Sequence, residues 1–168
     1  KPPHKQIAKT GRWLMHESFY GSLSTISVDL NGVPFGNVQS VVDGSEDEST
    51  GIPYFYVSEM DTSQVNIASN NTVSFALSEA QLQGGCKGVD QEDPTCVRLT
   101  LSGKMVDVTN EDELNFATKA LFERHPHMED WPSDHGWKVK KIELENVWIL
   151  DFYGGVTPVT VEEYLSAM

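Results

Sequence analysis

Most of the chain carries the two-residue period of half-buried strands, interrupted by stretches with the three-to-four-residue spacing of helices. Residues 12–20 place Trp13, Leu14, Phe19 and Tyr20 at a roughly helical spacing, and Gly21 follows where a helix would stop, so a short helix is predicted to open the domain. Residues 1–11 before it read as an N-terminal extension, and residues 12–168 as a single domain. Residues 23–30 then alternate, Asn31-Gly32 is a strong two-residue turn signal, and residues 34–42 return as the second arm of a hairpin. The run DGSEDESTG at residues 43–51 holds four acids and no apolar side chain, which predicts a solvated loop. Residues 52–57 form a third strand, residues 61–69 a short helix capped by Asp61 or Thr62, and residues 72–77 a fourth strand.

The second half follows the same pattern. Residues 97–108 contain two alternating stretches interrupted at Gly103. Thr109-Asn110-Glu111-Asp112 announces a helix with Leu114, Ala117, Leu121 and Phe122 on one stripe, ended by Pro126. Residues 138–152 alternate and then become continuously apolar at Val147-Trp148-Ile149-Leu150, and residues 158–165 suggest a closing helical turn. The sum is an α+β domain: about six mostly antiparallel strands in hairpin order, with flanking helices, curled into a small barrel.

At 168 residues the chain can bury a sizeable core without a crosslink. Twelve Lys and Arg against 25 Asp and Glu give a formal charge of −13, which repels phosphate backbones and anionic headgroups and argues against nucleic acid as a partner. No apolar run approaches bilayer-spanning length, so no membrane insertion is expected, and the opening Lys1-Pro2-Pro3-His4 does not read as a signal peptide.

Candidate chemistry is sparse. The only two cysteines, Cys86 and Cys96, bound the polar loop GGCKGVDQEDPTC; the spacing suits a closed disulfide loop, and buried reduced thiols are the alternative. Asn70-Asn71-Thr72 is an N-glycosylation acceptor, and with the acidic composition it favours the secretory pathway. His125, His127 and His135 lie close together in sequence, but in a Pro-interrupted, Trp-rich loop they read as hydrogen-bonded histidines beside Trp131 and Trp137 rather than as a metal site. No Gly-rich phosphate loop, nucleophile elbow or His-Glu-x-x-His motif is present.

Arg124-His125-Pro126, Met128, Trp131-Pro132-Ser133, His135, Trp137, Val147-Trp148-Ile149-Leu150-Asp151 and Gly154-Gly155 together resemble the C-terminal half of the CREG glycoproteins, the cellular repressors of viral-oncogene-stimulated genes. The run GIPYFYVS at residues 51–58 and the two loop cysteines are similar to the same family, so the resemblance covers nearly the whole chain. It implies the six-stranded split β-barrel of the FMN-binding pyridoxamine phosphate oxidases. It also implies a homodimer, with Tyr54, Phe55, Tyr56, Trp148 and Phe152 as aromatic material for its surface.

The resemblance further implies a glycoprotein, modified at Asn70, of the secreted and endosomal or lysosomal lumen. Through that glycan it would be recognised by the mannose-6-phosphate/insulin-like growth factor II receptor, and it would influence growth, differentiation or lysosomal function without catalysis. A flavin phosphate needs Arg or Lys, and between Trp13 and Cys86 there is neither. The stretch TSQVNIASNN (62–71) resembles the oxidases' phosphate-binding segment but has Gln64 and Val65 where the cation is expected, leaving Arg98, Lys104, Lys119 and Arg124 to supply charge from elsewhere. No cofactor is therefore expected; an FMN-dependent oxidoreductase or flavin carrier on the same barrel is the alternative. On this reading Cys86 and Cys96 pair, and Lys87, Gly88, Val89, Asp90, Gln91, Glu92, Asp93, Pro94 and Thr95 fold over the flavin cleft. There Asp90, Glu92 and Asp93 would repel a phosphate.

Overall fold

The computed structural model describes residues 1–167. Helix α1 (Ile7–Glu17) is followed by β1 (Tyr20–Ile26), β2 (Pro34–Ser40), β3 (Val42–Ser45) and β4 (Glu48–Ser58). Helix α2 (Thr62–Ser69), β5 (Thr72–Ser78), β6 (Arg98–Asp107), α3 (Glu111–Arg124), β7 (Trp137–Leu150), β8 (Thr157–Val159) and α4 (Val161–Ser166) complete the order. Seven strands form one antiparallel path, β2-β1-β5-β6-β7-β4-β3, and the short β8 pairs with β7. The sheet curls until β2 touches β4, giving the half-closed barrel of an α+β fold.

Strands β5 and β6 show why the sheet forms. Val73, Phe75 and Leu77 alternate inward on β5, and Leu99, Leu101 and Met105 do so on β6, each row buried against Leu14 and Met15 of α1 and Tyr164 of α4. At about 1.5–3 kcal/mol for each large aliphatic or aromatic side chain removed from water, this row outweighs any local preference. A second cluster, with Val42, Tyr54, Ala117, Leu121, Met128 and Val139, lies under α3. Gly103, where alternation lapses in the sequence, does not break β6: a register shift falls between Ser102 and Gly103, and a Cβ there would come 1.9 Å from the Glu143 carbonyl oxygen.

Three local expectations are corrected. The opening helix begins at Ile7 and ends at Glu17, because Ser18 turns its hydroxyl back to the Leu14 carbonyl at 2.6 Å. Residues 7–11, read from their polar surroundings as part of an extension, are its first turns, with Thr10 buried and Gly11 tight against Ile149. The hairpin does not close at a two-residue turn: Ile26 already pairs with Pro34, and residues 27–33 bridge them. That longer turn forms because Asn66 accepts the Val28 amide at 3.0 Å, while the Ser27 amide bonds Val33 and Gly32 bonds Ser27.

The third correction sets the strand count above six. The acidic run 43–51 is not a solvated loop but the β3–β4 hairpin, and Asp43 is fully buried. Its carboxylate accepts from Ser49 Oγ at 2.6 Å and the Gly51 amide at 3.0 Å, and His16 Nδ1 lies 2.8 Å away. Arg12 closes the same network, donating to the Ser49 carbonyl at 2.6 Å and its hydroxyl at 3.0 Å, and to the Leu165 carbonyl at 2.6 Å. A buried carboxylate satisfied in this way is stable where an unpaired one would not be.

Both His16 nitrogens face acceptors, Nδ1 the Asp43 carboxylate and Nε2 the Glu46 carbonyl at 3.1 Å, and only the imidazolium can donate to both. The bond to Asp43 raises the His16 pKa above its ordinary value, against an opposing effect of burial. A raised histidine pKa contributes stability that is fully present below the unfolded value of about 6.5 and is lost as pH rises through the folded value. His125, lowered by burial, acts in the opposite sense, so the signature is the difference between wild type and His16→Ala. That difference in urea-unfolding free energy is expected to be about 1–3 kcal/mol at slightly acidic pH and to shrink as pH rises. A difference independent of pH would contradict the assignment.

Candidate functional site

Helix α2 is built where the oxidase-like phosphate segment was expected. Asp61 caps it, accepting from the Ser63 amide at 2.7 Å, and Asn37 of β2 donates to both Asp61 and Ser63 Oγ, tying the sheet's edge to the helix start. A cavity of about 460 Å³ lies alongside, lined by Val57, Glu59, Gln64, Val65, Lys138 and Lys140. The cations are thus lysines of β7 that the sequence did not single out. They reach α2 because β4 and β7 pair in the register Val57↔Lys138. That pairing joins segments some eighty residues apart, and nothing local in KVKK announces it.

None of the four cations put forward from sequence lines this cavity. Arg98 donates to the Glu92 carbonyl, Lys104 to Thr72 Oγ1, and Arg124 to the carbonyls of His16 and Ser18, while Lys119 pairs with Glu123 on α3.

The cavity's donor set does not fit a phosphate-bearing flavin. Lys138 is bonded to Glu59, which raises its pKa, and Lys140 is bonded to Asp107 at 2.9 Å. The α2 N-terminus, the natural anchor for an anion, already carries the Asp61 carboxylate. Gln64 Oε1, buried without a partner, adds an acceptor rather than a cation. A dianion placed here would meet two carboxylates and lysines already neutralised by others.

The loop between β5 and β6 is closed by a Cys86–Cys96 disulfide with its Cα atoms 5.2 Å apart. Its acids serve its own backbone. Asp90 accepts from the Glu92 amide at 2.8 Å, and Asp93 from the Thr95 amide at 2.8 Å and hydroxyl at 2.6 Å. Lys87, Gly88, Val89, Asp90, Gln91 and Glu92 are exposed, whereas Asp93, Pro94 and Thr95 are half-buried. The loop leaves the sheet at the Ser78↔Arg98 end of the β5–β6 pair, and α2 enters at the Thr72↔Lys104 end. Six residues of strand, roughly 20 Å, separate the two within one chain.

The remaining nominated residues are dispersed. Asn70 is exposed at the C-terminus of α2 and accepts from the Thr72 amide at 3.1 Å. Tyr54 and Phe55 belong to the cores, and Tyr56 stacks on Trp137 with ring centroids 5.0 Å apart, but Trp148 and Phe152 are exposed. Around Trp148 the outer face of the sheet is a tract of small side chains: Ser22, Ser24, Ser74, Ala76, Thr100 and Ser102. His125 bonds the Val41 carbonyl, His135 packs near Trp137, and among the described residues no three His, Cys, Asp or Glu converge as metal ligands. No helix among them is long and apolar enough to cross a membrane.

Comparison with known proteins agrees with this fold. The family model described as CREG, beta-barrel, matches residues 2–166. Human Protein CREG1 is 40% identical over 169 residues, spanning 98% of this chain and 76% of that protein. Among solved structures, a heme binding protein from Mycobacterium smegmatis superposes with a TM-score of 0.76 at 19% identity, over 99% of this chain and 61% of that one. A putative pyridoxamine 5'-phosphate oxidase from Listeria innocua superposes with a TM-score of 0.55 at 15% identity, over 86% of this chain and 98% of that one. At such identities the two structures establish the split-barrel fold and nothing more.

Titration of FMN into the wild-type protein, followed by flavin fluorescence, is expected to show no saturable binding below about 100 μM. Glu59→Gln, which frees Lys138 and removes a repelling charge, is expected to strengthen binding about tenfold. Micromolar binding by the unaltered protein would overturn this reading of the cavity.

Proposed function

The chain belongs to the CREG family, and on that premise we propose that it is a non-enzymatic glycoprotein of the secreted and endosomal or lysosomal lumen, acting through receptor recognition. The observation that carries the reading is the cavity beside α2, where Lys138 and Lys140 are held by Glu59 and Asp107 and an acid caps the helix. A barrel whose cofactor phosphate site is neutralised from within has little means of doing flavin chemistry. Recognition then rests on the surface. The exposed Asn70 sequon offers a glycan, and a mannose 6-phosphate on it is the chemistry that a mannose-6-phosphate/insulin-like growth factor II receptor binds.

A homodimer belongs to the same proposal. The small side chains of the face around Ser24, Ser74, Thr100 and Ser102 permit close approach, and the exposed Trp148 and Phe152 offer aromatic anchors. The competing reading, a flavin-binding oxidoreductase, draws its support from Lys138 and Lys140 alone.

Two measurements test the proposal. Protein from secreting cells is expected to lose mass on glycosidase treatment and to enter fresh cells by a route that free mannose 6-phosphate blocks, both effects being absent in Asn70→Gln. Uptake unaffected by the sugar or by the substitution would refute the glycan route. Sedimentation at micromolar concentration is expected to give twice the 18.7 kDa chain mass plus glycan; a monomer alone would refute the dimer.

A further inference from the structure

Buried polar atoms without hydrogen-bond partners gather at one end of the sheet, beneath the disulfide loop. Asp151, the residue after β7, buries both carboxylate oxygens without a close hydrogen bond, and it faces the hydroxyl of the fully buried Thr10. Orphaned groups of this kind call for a counter-group. The one nearby is Lys1, whose Nζ lies 3.5 Å from Asp151 Oδ1 and donates to Glu79 Oε2 at 2.7 Å and the Thr95 carbonyl at 3.1 Å. Glu79, itself only 5% exposed, sits in the 3-10 turn after β5 and also accepts the Val97 amide at 3.1 Å.

We propose that Glu79, Asp151 and the Thr95 carbonyl form a binding cage for a primary ammonium group, filled by Lys1, and that residues 1–6 are thereby a releasable strap over the base of the disulfide loop. Each cage member comes from a different part of the chain. Glu79 follows β5, Thr95 adjoins Cys96 of the disulfide, and Asp151 follows β7, so one ammonium group joins the loop to the sheet. Pro2 and Pro3 restrict the strap's backbone and reduce the entropy lost when it docks. His4 adds a second anchor by stacking on Phe152 with ring centroids 4.5 Å apart. Behind the strap lies a cavity of about 720 Å³ lined in part by Lys1, Trp13, Phe19, Tyr20, Leu82 and Lys87, and release of Lys1 opens one of its walls.

The cage is unbalanced, two buried carboxylates against one ammonium. Burial raises the Asp151 pKa, against the lowering effects of Lys1 and the Thr10 hydroxyl, and the neighbouring Glu79 adds a smaller upward push. The other charged groups around it are accounted for: Arg98 of β6 directs its guanidinium to the Glu92 carbonyl, Asp93 is engaged by Thr95 and Tyr153, and His4 faces Phe152. Because the folded pKa of Asp151 is raised, its protonation favours the fold as pH falls. The same protonation deprives Lys1 of one of its two carboxylates. Acid therefore loosens the strap without unfolding the barrel, a behaviour suited to a chain moving between neutral and acidic lumens.

Hydrogen exchange of residues 4–6 and 87–97, together with the rate at which dithiothreitol reduces Cys86–Cys96, provides the test at pH of about 7 and about 5, corrected for intrinsic exchange. Lys1→Gln is expected to raise exchange and reduction about tenfold at neutral pH, while Lys1→Arg keeps the wild-type rates. The wild type should move toward Lys1→Gln in acid, and Asp151→Asn should abolish that pH dependence. Wild-type rates in Lys1→Gln, or an undiminished pH response in Asp151→Asn, would overturn the proposal. If Asp151→Asn does not fold, the Lys1 pair and the wild-type acid response decide it.

Discussion

A carboxylate sealed from water constrains this structure more tightly than any other single group. Asp43 has no exposure, and its charge is tolerable only while Ser49, the Gly51 amide and His16 all reach it. Those partners lie on β4 and α1, and Arg12 extends the same network through Ser49 to the Leu165 carbonyl on α4. Tyr164 adds a bond from its hydroxyl to the Gly51 carbonyl at 3.1 Å. The first helix, the last helix and the β3–β4 hairpin must therefore assemble together. Gly51 is the residue this demands: its φ is +78°, and a Cβ would sit 2.6 Å from Arg12 Nε. With the start of β4 fixed in this way, Val57 and Glu59 at its far end, and the cavity beside α2, are fixed as well.

The same network explains what could be read from sequence and what could not. Features held by neighbours in the chain were legible: a cap at Asp61 or Thr62, the start of α3 within Thr109-Asn110-Glu111-Asp112, the inward alternation of Val73, Phe75 and Leu77, and the end of α3 before Pro126. Each depends on residues within one or two turns. Asp43 was not legible, because in the run DGSEDESTG it is chemically identical to the solvated acids beside it. Its difference lies in His16, 27 positions away, and in Arg12. Lys138 and Lys140 were missed for the same reason, since their partners across the β4–β7 register lie far off in sequence. The family resemblance rested on specific short motifs, and the family model and CREG relatives bear it out.

The likeness to a heme binding protein and a putative pyridoxamine 5'-phosphate oxidase at 15–19% identity separates scaffold from chemistry. A split barrel keeps its shape through inward-facing rows, and those rows survive here in Phe55, Phe75, Leu101 and Ile149. Ligand chemistry is carried by side chains at the strand ends and on α2, which the core does not constrain. Glu59 and Asp61 stand at that junction, and each places a carboxylate where an anion would need a donor.

Charge is distributed by the same logic across the molecule. Lys1, Lys119, Lys138, Lys140 and Lys141 each lie within ion-pair distance of a carboxylate, and Arg12, Arg98 and Arg124 spend their donors on backbone carbonyls. The few cations of a chain with net charge −13 are thus largely used in holding the protein to itself. What remains outward is acidic, and polyanions are repelled from it. A partner must then engage the small-residue tract with its exposed aromatics Trp148 and Phe152, or the acids themselves. At acidic pH the last of these weakens as carboxylates are neutralised, leaving contacts that do not depend on charge.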